Sequence, residues 1–137
     1  MFINLPDKGN QFYPPDTRHE LHKDLLFVFG SNLFGRHGKG SALEARKNYG
    51  AIYGQGIGLQ GRSYGIPTKD GHLRVLDLII VESYVEDFKA FLATNPSTMC
   101  FVCAVGTMNA GYAHCEIAPM FKGVKNCWFD ERWRPFL

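Results

Sequence analysis

Nowhere does this chain carry an uninterrupted apolar run of the about 18 residues that a membrane-crossing helix requires. Its first residues, MFINLPDKGN, lack the basic start and apolar core of a secretory leader, so the cytoplasm is the expected location. Charge of one sign is scarce too. The formal net charge of +2 is too small to favour nonspecific attraction to nucleic acid, which makes nucleic acid an unlikely partner. There is no internal repeat and no low-complexity segment. GxSxG and HExxH are missing, and no pair of carboxylates falls in a glycine-rich stretch. Cysteine is sparse. Cys100 and Cys103 form a CxxC, but no second CxxC and no nearby histidine pair accompany it. MCFVCAV reads as a buried strand, in which positions three apart point to opposite faces. The expectation is therefore buried structural thiols, no metal site and no cofactor.

What is present is an ordinary globular composition, 45% apolar and 20% charged, over 137 residues. That length suits one domain with its own core. Residues 1 to 23 are polar and proline-containing, and read as an irregular or edge-strand segment. Asp24 to Gly30 reads as a core strand. Ser41 to Tyr49 reads as a helix stopped by Gly50. Residues 51 to 62 are glycine-rich, and SYGIP (63 to 67) is a short strand ended by its proline. The recurrence of Leu76, Ile80, Tyr84, Phe88 and Phe91 predicts an amphipathic helix from about Arg74 to Ala93. Met99 to Val105 is a second apolar strand, 106 to 112 a loop, 114 to 121 a short helix and 126 to 130 a last strand. Alternating strands and helices predict an α/β fold with a largely parallel or mixed central sheet.

Three glycine-rich loops, 30 to 40, 54 to 61 and 106 to 111, carry the candidate chemistry. In open α/β sheets ligands sit beyond the carboxyl ends of the strands. Glycine lets backbone N–H groups turn toward an anion, and the helix opening near Gly40-Ser41 adds its own N-terminal donors. Arg36, His37 and Lys39 strengthen that field. GRHGKGSA lacks Walker A spacing, and GSNLFGRHG lacks the Rossmann GxGxxG. Gly56 to Gly61 does contain a GxGxxG-like string, but it precedes a strand instead of following one. Asn32, at the mouth of the first strand, suits a ribose hydroxyl or, equally, an Asx-turn. Asn109 has the same two readings. His37 is the best-placed acid or base among the five histidines.

Taken together and in order, three stretches resemble the macro domain, the ADP-ribose-binding α/β/α module. They are FVFGSN with GRHGKGSALEARKNYG, then GQGIGLQGRSYGIP, then AVGTMNAGYAHCEIAPMF. The resemblance spans about residues 24 to 130. IPTK and the small size are similar to the branch containing terminal ADP-ribose glycohydrolases, and the chain also resembles small macro-like proteins of bacteria and bacteriophages. The resemblance implies a three-layer α/β/α fold with a central mixed sheet, formed by one macro-like domain over residues 1–137. It implies that Asn32 contacts the distal ribose, that Gly38, Gly40 and Ser41 line the diphosphate through backbone N–H groups, and that Lys39 and Gly61 of the second loop belong to the ligand-binding set. Gly106, Thr107, Met108, Asn109, Ala110 and Gly111 would close over the ligand, with Tyr112 flanking the ribose. Asp16 would read the adenine. The implied partner is an ADP-ribose-like small molecule or an ADP-ribosylated protein.

The departures concern catalysis. One hydrolytic branch carries an Asp where this chain has Ala42. The glycohydrolase branch uses a Lys on the first helix and an Asp in the later loop; here Arg46 and Lys47 are available, but Asn109-Ala110 offers no carboxylate. A missing general base favours binding over turnover. Two other readings stay open. One is a hydrolase acting on ADP-ribosyl or ADP-ribose phosphate groups, with His37 assisting. The other is an interaction module with a degenerate pocket.

Overall fold

A computed structural model of the chain describes residues 9–14 and 24–137. Six strands form one mixed sheet: β1 (Gln11–Tyr13), β2 (Leu26–Asn32), β3 (Gly58–Gln60), β4 (Ser63–Lys69), β5 (Cys100–Val102) and β6 (Cys127–Asp130), in the order β1-β6-β5-β2-β4-β3. All neighbours run parallel except the β3–β4 pair. Helix α1 (Gly40–Asn48) connects β2 toward β4, and α2 (Leu78–Thr94) connects β4 to β5. These two crossovers travel in opposite directions along the sheet. Right-handed connections then place α1 on one face and α2 on the other. The result is α/β, with a three-layer arrangement of helix, sheet and helix.

Strand register explains both cores. Phe27 pairs with Phe101 of β5 and lies on the α1 face, where it stacks on Tyr49 with ring centroids 4.5 Å apart. Tyr13 stacks on Phe101 at 4.3 Å on that same face. Val28 pairs with Tyr64, one residue on and therefore on the opposite face. There Tyr64 meets Phe88 and Phe91 of α2, while Phe121, Phe129 and Trp133 form a continuous aromatic cluster. Such pairs add packing energy beyond their buried area.

Several sequence expectations shift. The first strand runs on through Gly30, Ser31 and Asn32. The next does not stop at Pro67 but continues to Lys69. Pro67 is tolerated because β3 pairs with β4 only as far as Gly65, so the missing N–H falls on an open flank. The long helix starts at Leu78 and not at Arg74. Residues 70 to 76 make a tight loop instead, in which the Asp70 carboxylate accepts from the backbone N–H groups of His72 and Arg74. Leu76 precedes the helix, while of the expected stripe Phe88 is buried and Tyr84 and Phe91 pack against the core. The buried stripe is Val81, Val85, Phe88 and Leu92, and Ile80 is exposed.

Strand β5 is confined to Cys100–Val102, because the chain turns at Cys103, where Val105 N–H donates to Cys103 O. Residues 114 to 121 split into α3 (His114–Ile117) and a 3-10 turn (Ala118–Phe121) containing Pro119. A further 3-10 segment, Glu131–Phe136, follows β6. The described part of the N-terminal segment contains β1, an edge strand on β6. Cys100, Cys103 and Cys127 are buried and free, but Cys115 is exposed on α3. Cys100 faces Cys127 across paired strands, and hydrogen bonding to that thiol, together with burial, pushes the Cys100 thiol well above its ordinary pKa.

No helix among the described residues is long and apolar enough to cross a membrane. Nor do they contain a group of three or more His, Cys, Asp or Glu side chains placed to hold a metal ion.

Candidate functional site

The carboxyl ends of β2, β4, β5 and β6 open into a cavity of about 590 Å³. Its walls combine two of the three predicted loops. Lys39, Gly40, Ser41 and Ala42 form one wall, and Gly106, Met108, Asn109 and Ala110 face them. A smaller cavity of about 280 Å³ adjoins it, lined by Asn32, Arg36, Gly38 and Lys69 and sharing Lys39 and Asn109 with the first.

Local geometry aims the start of α1 at this space. Lys39 is extended at φ −161°, and no side chain caps the helix. Gly40 then adopts φ +63°, the left-handed region that favours glycine. The first intrahelical donor along this turn is Leu43 N–H, bonded to Lys39 O. The N–H groups ahead of it are the orphan donors of a helix N-terminus, and they lie where the cavity is. Asn109 reaches over them: its Nδ2 lies 3.7 Å from where a Cβ on Gly40 would stand.

The other predicted residues are placed differently. Asn32 lines the smaller cavity, but its amide is engaged locally. Oδ1 accepts from Arg36 N–H and Nδ2 donates to Arg36 O, each at 2.9 Å. These bonds reach four residues on and so are wider than an Asx-turn, but like one they engage the amide with the backbone of its own loop. Thr107 turns back, donating its hydroxyl to Ala104 O. Tyr112 packs away from the cavity, donating its hydroxyl to Leu76 O. Gly111 lines neither cavity and closes the loop, with its N–H bonded to Met108 O. Gly61 lies at the opposite edge of the sheet, just before Ser63, which pairs with Phe27 at the start of β2. Its work there is steric: a Cβ on Gly61 would sit 2.6 Å from Gly50 O. Asp16 falls outside the described residues.

His37 is the largest revision. It is fully buried, edge-on to Phe29, and lines neither cavity. Its Nε2 lies 2.9 Å from Gln55 O and 3.2 Å from Gln60 Oε1, both acceptors, so this nitrogen carries the proton. His37 ties the 35–39 loop to the β3 hairpin and has no route to a ligand.

The loop reading missed Asp130 and Arg132. Asp130 ends β6, only 3% exposed, and lines the larger cavity. Its Oδ1 accepts from Arg132 N–H and Nε, each at 2.9 Å, and its Oδ2 accepts from Nη2 at 2.6 Å. Burial by itself would push its pKa up; the hydrogen bonds and charge of Arg132 outweigh that and bring it below the ordinary carboxylate value. The signal was available in the sequence: NCWFDERW places an acid and a base at the carboxyl end of an apolar strand.

No protein-family model and no curated protein matches the chain. Among solved structures it is similar to a protein of unknown function from Bacteroides thetaiotaomicron, with a TM-score of 0.60 and 14% identity, over 88% of this chain and 97% of that one. At that identity the likeness carries the fold alone.

Proposed function

We propose that the protein is a macro-like module that binds ADP-ribose, or a related nucleotide-derived ligand, in the cleft at the carboxyl edge of the sheet. The observation that carries this reading is the 590 Å³ cavity walled by the start of α1 on one side and the 106–110 loop on the other. Its size suits a small-molecule ligand. Uncapped N–H groups beside Lys39 suit a diphosphate, which accepts several hydrogen bonds and carries negative charge. Asn109, exposed at the cleft mouth, is free to pair with a ribose hydroxyl. The natural partner is the free nucleotide or a protein bearing the same group.

Binding is preferred to hydrolysis on two grounds. His37 is engaged in the core, and the cleft carboxylate, Asp130, is held ionised by Arg132 and makes a weak base. Titration calorimetry with ADP-ribose tests the reading. Saturable heat is expected, and silence at millimolar ligand contradicts it. Incubation with a mono-ADP-ribosylated peptide and with ADP-ribose 1''-phosphate tests the preference; release of ADP-ribose or phosphate would make the protein a hydrolase.

A further inference from the structure

We propose that Arg132 is an anion anchor of this cleft, held in position by Asp130. A phosphate-bearing ligand would then be gripped at the β6 end as well as at the start of α1. The inference rests on the cleft being a ligand site, but not on the ligand being ADP-ribose.

Strand alternation brings the pair there. Trp128 pairs with Phe101, whose ring lies on the α1 face with Phe27 and Tyr13. Asp130 is two residues further along β6 and pairs with Tyr13, so it stands on that face at the strand's carboxyl end. A carboxylate buried to this degree needs a partner. It also caps the following 3-10 segment, but capping uses only the backbone N–H of Arg132. The Arg132 side chain adds something separate. Its Nε and one N–H of Nη2 grip the carboxylate, a forked arrangement that fixes the guanidinium plane.

Of the five N–H bonds of a guanidinium, two are used on Asp130, leaving three with no partner among the described residues. The side chain is 48% exposed and lines the same cavity as Lys39 and the start of α1. Lys39, Asp130 and Arg132 are the charged side chains of that lining, so it carries one surplus positive charge. An immobilised guanidinium with spare donors, facing a cavity of positive balance, is suited to bind a phosphate.

The test is an NMR titration of the whole protein with inorganic pyrophosphate, following the Arg132 Nε–H resonance and the backbone amides of Gly40, Ser41 and Ala42. The expected result is saturable movement of both sets. Calorimetry should show pyrophosphate binding at least about tenfold weaker in Arg132→Gln, and partly retained in Arg132→Lys, which keeps the charge but loses the fork. Because Arg132→Gln strands a buried carboxylate, the double variant Asp130→Asn/Arg132→Gln repeats the measurement with both charges removed; affinity equal to the unaltered protein would overturn the inference. Movement of the Gly40–Ala42 amides with Arg132 still would also overturn it, while leaving the cleft reading intact. Movement of Arg132 alone would support the anchor and contradict the diphosphate placement. If pyrophosphate moves neither set, the anchor is overturned; if ADP-ribose is silent as well, the cleft reading falls with it.

Discussion

His37 and Gln60 meet across the loop that leaves β2, with Nε2 3.2 Å from Oε1, and the same Oε1 accepts the Ile52 N–H at 2.8 Å. A residue that looked like an acid–base candidate is a fastener between two loops. His37→Ala should therefore lower unfolding stability by about 1–3 kcal/mol, the cost of stranding buried partners, with a further loss from the cavity it opens. Denaturant unfolding at constant slope checks this. A variant as stable as the parent would contradict the structural role.

Trp133 and His114 make a second such link. Trp133 is fully buried, and its Nε1–H donates to His114 Nδ1 at 3.0 Å. His114→Ala leaves that donor without its acceptor and should cost about 1–3 kcal/mol. The near-ultraviolet circular dichroism of the buried indole should change with it. An unchanged Tm and spectrum would contradict this.

Asp130 should make the fold sensitive to acid. Its folded pKa lies below the ordinary carboxylate value because Arg132's hydrogen bonds and charge outweigh burial. A depressed folded pKa contributes stability that is fully present above the unfolded value, about 4, and is lost as pH falls through the folded value. Stability measured from pH 6 downward should decline through that window. Asp130→Asn should be less stable at pH 6 and show a shallower decline. An identical slope in the variant would rule out this linkage.

Gly61→Ala separates fold from site. Gly61 has φ +60°, and its missing Cβ makes room for Gly50. The substitution should destabilise by more than about 1 kcal/mol. Because Gly61 is at the far edge of the sheet from the cleft, ligand affinity of the folded variant should be unchanged. Loss of affinity without loss of stability would put Gly61 back at the site.

The elements were legible where pattern and burial coincide. The run LFVF and the run CFV become central strands because nearly every residue in them is buried, on both faces. Helix α1 was legible from its formers and from Gly50. The start of α2 was not, because Leu76 fits an apolar helical spacing while an Asp70 side chain, through hydrogen bonds to the backbone, holds 70–76 as a loop.

That Lys39 to Ser41 and the 106 to 110 loop would wall one cavity was readable because both follow buried strands. Gly61 and His37 were misplaced for one reason: glycine spacing and residue type do not say at which end of a sheet a turn lies, or whether a loop side chain folds inward. Asp130 and Arg132 went unread because their place beside the cavity depends on strand order. Only the placement of β6 beside β5 brings them to the cleft of α1.

The central claim is that a nucleotide-derived diphosphate binds at the start of α1 beneath Asn109. Calorimetric titration of ADP-ribose into the parent protein and into Asn109→Asp tests it most directly. Asn109 is exposed, so the fold should be retained, while the new carboxylate stands over Gly40, where the phosphate charge is to sit. The account predicts saturable binding by the parent and at least about tenfold weaker binding by the variant, as like charges repel at close range. Absence of heat from the parent at millimolar ADP-ribose, or equal affinity in the two proteins, would contradict it.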